Sequence, residues 1–203
     1  MCSTDTRINA YSFPLILFHL QIRKMCIRDR PNCRPNPHLA ALYEFDSSSR
    51  CLAPRSGQSE FAFLPNFFSG GSGLTSCVED YLLFADALAC GGVGADGSRI
   101  LRPETIDLMR AEQLPAFRVD GSFSWTCGSD YGYGLGVRTR VAFDNGTPGG
   151  RGEFGWDGAA GAFLMAIPER RLSMFYVQHV LSCNHAFEVV HPTIRDLVCQ
   201  IAQ

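Results

Sequence analysis

The sequence predicts an α+β fold, an antiparallel sheet of at least three strands with flanking helices. Three observations predict it. A segment with helical spacing and clear start and stop signals spans 76–92. Three strand-like runs follow within 131–180, the last two joined by a tight connection. An amphipathic stretch then closes the chain, and this order suits helices layered on a sheet.

Taken in order, residues 36–55 read as an apolar stretch, a polar turn and a return, the pattern of a surface excursion. In "SCVEDYLLFADALACGG", Ser76 and Glu79 have the spacing of a capping box. Tyr81, Leu82, Phe84, Ala85, Leu88 and Ala89 recur on one helical face, and Gly91-Gly92 supplies the stop. "RPETIDLMRAEQL" starts a second helix with Pro103 in its first turn. The runs "YGYGLGVRTRV" (131–141), "AGAFLMAIP" (160–168) and "RLSMFYVQHV" (171–180) read as strands, with "PERR" as the hairpin connection between the last two. The closing segment reads as a helix disturbed at Pro192, which has no backbone N–H to donate.

Composition excludes several functions. A formal charge of −2 gives no electrostatic reason for nucleic acid as a partner. The apolar run at 11–22 is too short to span a bilayer. No small-residue cleavage site follows it, which favours a cytoplasmic location. The 9 cysteines form no C-x-x-C pair and no Cys/His cluster with ligand spacing, so neither a metal nor another cofactor is expected.

The charge is unevenly spread. Residues 1–38 hold six basic and two acidic residues, and the remainder is strongly acidic. The only lysine, Lys24, lies in the segment "KMCIRDR" (24–30), whose back-translation resembles a sequencing-library adapter. Residues 1–30 are therefore expected to be non-native, leaving 31–203 as the portion that belongs to one domain.

Several motifs have plain structural readings. Gly70-Gly71-Ser72-Gly73 matches no phosphate-binding pattern and reads as a tight turn. No G-x-S-x-G elbow is present. His179, His185 and His191 read as ordinary structural or surface histidines.

The blocks "GGSGLTSCVEDYLLFADAL", "GSRILRPETIDLM", "YGYGLGV" and "GEFGWDGAAGAFLMAIPERRL" together resemble the β-lactamase-related serine hydrolases. That family includes class C β-lactamases, D-alanyl-D-alanine carboxypeptidases and family VIII esterases. The resemblance covers about residues 38–203 and implies a five-stranded antiparallel sheet with helices on both faces, beside a mostly helical region. It also implies three catalytic motifs: S-x-x-K, then Y-x-N or S-x-N, then a K-T-G-like triplet on an edge strand.

Trp156-Asp157-Gly158 matches the third motif. By this resemblance Gly158 admits substrate close to the backbone, the Ala159 N–H serves as an oxyanion donor, and Trp156 and Asp157 face the substrate. Trp156 also has a plain reading as a buried packing residue. The other two motifs are absent, and Ser182-Cys183-Asn184 comes after the third motif, so the role is not carried to it. The chain is thus expected to be an inactive C-terminal fragment. Trp156 in place of lysine, beside the negative Asp157, favours a neutral ester over a β-lactam or D-Ala peptide. Arg151 could supply a cation. A non-catalytic ligand-binding member of the same fold is the alternative. A fragment of this kind would expose a sheet edge prone to aggregation.

Overall fold

In a computed structural model of the chain, the described residues are 40–55, 76–114, 130–142 and 152–202. The expectations for 1–30, for Gly70-Gly71-Ser72-Gly73 and for Arg151 lie outside them. The excursion at 36–55 is described from residue 40, as an exposed antiparallel hairpin of β1 (Tyr43–Asp46) and β2 (Cys51–Pro54).

The helix α1 spans Val78–Ala89, and α2 spans Pro103–Arg110 with Pro103 in its first turn as expected. The capping box at Ser76 does not form. The Ser76 hydroxyl instead donates to the Cys77 carbonyl at 3.3 Å, Cys77 takes the N-cap position, and no side chain caps the helix. Glu79 and Asp80 still place negative charge in the first turn, where the helix dipole favours it. The buried face is narrower than the pattern implied. Ala85, Leu88 and Ala89 are buried, but Leu82 and Phe84 stay more than a third exposed. Gly91 and Gly92 end the helix with φ of 68° and 83°.

A five-stranded antiparallel sheet follows, ordered β3-β4-β5-β6-β7. Its strands are β3 (Tyr131–Tyr133), β4 (Arg138–Arg140), β5 (Phe154–Asp157), β6 (Phe163–Ile167) and β7 (Leu172–Tyr176). The segment 131–141, expected as one strand, is two strands around a turn. Gly134 N–H donates to the Val137 carbonyl, and Gly136 takes a positive φ of 75° that a side chain would resist. The "PERR" connection is one 3-10 turn closed by Arg171 at φ 49°. The segment 171–180 also divides, and its last residue, Val180, begins β8 (Val180–Leu181), which pairs in parallel with β1 in a second, three-stranded sheet.

The terminal segment is a π-turn, Ala186–Val190, that passes into α3 (His191–Ile201). The strand period of two sorts the core into two layers. Phe154 and Ala166 meet Leu88, Ala89 and Ile106 from α1 and α2. Phe163, Met165, Ile167 and Met174 meet Cys199 from α3 on the opposite face. Helices therefore cover both faces of the sheet. Burying a side chain of the size of Phe154 stabilises the fold by about 1.5–3 kcal/mol.

Candidate active site

Strand β5 is an interior strand, not the edge strand that the resemblance implied. Its end nevertheless projects. β4 pairs only with Phe154 and Gly155, whereas β6 pairs with all four residues through Asp157. Trp156 and Asp157 therefore extend past β4. The Trp156 ring is half-buried and meets Tyr133 edge-on at 5.7 Å.

Beyond β5 the chain turns tightly. Gly158 N–H donates to the Ala162 carbonyl, and Gly161 N–H to the Gly158 carbonyl, both at 2.8 Å. Val180 N–H donates to the Ala160 carbonyl. Gly161 needs its positive φ of 87°, and a methyl there would strike the Gln178 side chain. Ala159 stands exposed at the tip.

Asp157 faces inward. Arg138 Nε lies 3.1 Å from its Oδ2, and His191 Nδ1 lies 3.0 Å from its Oδ1. Arg138 therefore offsets the negative charge that Asp157 was expected to add beside Trp156. Arg138 also donates to the Leu164 carbonyl and lies over the Phe163 ring at 4.5 Å.

A second buried carboxylate extends the network. The Tyr131 hydroxyl donates to Glu153 Oε1 at 2.8 Å, and Arg195 from α3 donates to the Tyr131 oxygen at 2.9 Å. Arg138 and Arg140 flank Glu153 at 3.6 and 3.7 Å. Burial, reinforced by the Glu153 charge, raises the Tyr131 phenol well above its ordinary range.

The β-lactamase family model matches residues 30–197. The chain belongs to the β-lactamase family. This family member is 34% identical over 146 residues to Protein Rv1367c of Mycobacterium tuberculosis, covering 69% of this chain and 36% of that protein. It thus spans about a third of the length of the curated relatives it matches. Its fold is that of simvastatin synthase (LovD) from Aspergillus terreus, at a TM-score of 0.59 and 18% identity, covering 81% of this chain and 42% of that one. It also matches EstCE1, a hydrolase with promiscuous acyltransferase activity, at a TM-score of 0.56 and 19% identity, covering 80% and 43%.

In this β-lactamase-family chain, Trp156, Asp157, Gly158 and Ala159, the residues expected to form the third motif, lie together at the β5 end, as their adjacency requires. Sequence reasoning missed the residues behind them. Arg138, Arg140 and Glu153 are buried, though charged side chains are ordinarily placed outside. His191 is 3% exposed, whereas His179 and His185 lie at the surface. The available signal was the pair of arginines in "VRTRV", spaced to share one face of a strand. Among the described residues, no group of three His, Cys, Asp or Glu could hold a metal. None of the described helices is long and apolar enough to cross a membrane.

Proposed function

We propose that the chain supplies the third catalytic motif of a serine hydrolase that transfers acyl groups through a serine ester, with a neutral ester as substrate. The observation that carries this reading is the β5 end. Trp156 projects past β4, and Ala159 stands exposed at the tip of the turn that follows. In this reading the Ala159 N–H donates to the developing oxyanion, where a fixed dipole stabilises charge most effectively. In this reading Gly158 lets substrate approach the backbone, and a Cβ there would press on the Ala162 methyl at 3.3 Å.

Trp156 gives the site apolar area where a lysine would give a cation, which favours a neutral ester over a carboxylate-bearing β-lactam or D-Ala peptide. The inward turn of Asp157 leaves this preference resting on Trp156 alone. LovD, a simvastatin synthase, and EstCE1, a hydrolase with promiscuous acyltransferase activity, are in keeping with this chemistry.

The nucleophile and base come, in this proposal, from S-x-x-K and Y-x-N segments that these 203 residues do not contain. The purified chain is expected to turn over neither p-nitrophenyl butyrate nor nitrocefin. Fusion to upstream genomic sequence encoding both motifs in frame is expected to produce turnover, faster on the ester. Turnover by the chain alone, abolished by a serine-directed inhibitor, would overturn the assignment. Ligand binding without turnover in the fused protein would favour the binding-protein alternative.

A further inference from the structure

His191 occupies the boundary where the π-turn passes into α3. A π-turn shifts the hydrogen-bond register by one residue, so it accommodates the donor that Pro192 lacks just after it. The ring is buried among three aromatic neighbours. It stacks on Phe163 at 4.8 Å with planes 15° apart, and it meets Phe187 and Tyr176 edge-on at 5.2 and 5.8 Å. That packing fixes the ring plane and the direction of both nitrogens.

The two nitrogens reach opposite ends of one turn. Nδ1 lies 3.0 Å from Asp157 Oδ1, where β5 ends, and Nε2 lies 3.1 Å from the Gly161 carbonyl, just before β6. A carbonyl oxygen only accepts, so Nε2 carries a hydrogen. Nδ1 faces Asp157 Oδ1, while Arg138 Nε approaches the other carboxylate oxygen. Between the two anchors stand Gly158, Ala159 and Ala160, with Ala159 exposed at the tip.

We infer that His191 is a positioning residue, which sets the Ala159 N–H by holding both ends of its turn from one rigid ring. The inference deepens the reading of Ala159 as an oxyanion donor and rests on it for its catalytic meaning. The holding itself is a physical property of the chain. An oxyanion donor is useful only when it is aimed before the charge develops. A turn of five residues clasped at both ends by a buried ring meets that requirement without any side chain entering the substrate space.

The test uses the full chain, labelled with 15N. Nitrogen spectra are expected to show a hydrogen on Nε2 of His191, the nitrogen that faces the Gly161 carbonyl. Replacement by phenylalanine, His191→Phe, keeps the stacking on Phe163 and removes both ring nitrogens. In that variant the Gly158 and Gly161 amides are expected to exchange about tenfold faster or more, since local opening is read directly by hydrogen exchange. The Met165 and Met174 amides in the neighbouring strands are expected to keep their rates. Unchanged exchange at Gly158 and Gly161 would overturn the inference. So would an Nε2 without a hydrogen in the unmodified chain, a measurement that decides the matter even where the variant fails to fold. Neither measurement involves a ligand or turnover. A protected turn in a fused protein without esterase activity would therefore sink the oxyanion reading and leave the clasp standing.

Discussion

Arg138 Nε lies 3.1 Å from Asp157 Oδ2, and the two side chains are only 5% and 6% exposed. A pair so dry gains little over apolar packing, but breaking it leaves an uncompensated charge in the interior. Asp157→Ala is therefore expected to destabilise the fold by about 3–5 kcal/mol, measured by urea unfolding. Combining it with Arg138→Met is expected to recover part of that loss. Independent, additive losses would show that the two groups are not coupled.

The glycines divide by what surrounds them. A methyl on Gly155 would run into the Leu164 backbone carbonyl of β6, where no side chain can move aside. Gly136 has a positive φ of 75° but open space around it. Gly136→Ala is expected to cost about 1–2 kcal/mol from backbone strain alone. Gly155→Ala is expected to cost more than about 4 kcal/mol or to prevent folding. Equal thermal melting shifts for the two variants would contradict this packing.

Alkaline stability should depend on Tyr131. Its phenol is raised in the folded state by burial and by Glu153, so the unfolded chain ionises first. Stability is thus unaffected below the ordinary phenol value and falls as pH rises through it, by up to about 1.4 kcal/mol per pH unit from this group. Urea unfolding between neutral pH and the alkaline range is expected to show this fall, and Tyr131→Phe is expected to lack it. Identical alkaline profiles would rule the group out as the cause.

The surface pair Arg110–Glu169 is short, at 2.6 Å, yet the Glu169 side chain is 46% exposed. Solvent screening makes such pairs weak. Glu169→Gln is expected to cost less than about 1 kcal/mol and to lose even that effect at high salt. A larger, salt-insensitive loss in urea unfolding would mean that the pair is shielded.

Much of the architecture was legible in the residues. The continuous apolar run "FLMAI", buried at every position, and the helical spacing around Leu88, ended by Gly91-Gly92, reflect local patterns that a sequence carries by itself. Cap positions and strand breaks were less legible. Ser76 lost its capping role to a one-residue shift in the helix start, and Gly134 and Gly136 divided one apparent strand into two.

The sequence by itself determined the α+β class, the family resemblance and the four adjacent residues Trp156, Asp157, Gly158 and Ala159, because adjacency and periodicity are properties of the chain. Only the tertiary structure decided what lies behind them. Asp157 turns inward because Arg138, one strand away, and His191, more than thirty residues later, converge on its two oxygens. Such convergence depends on which β-strands pair and which helix covers them, and long-range pairing leaves no local pattern to read.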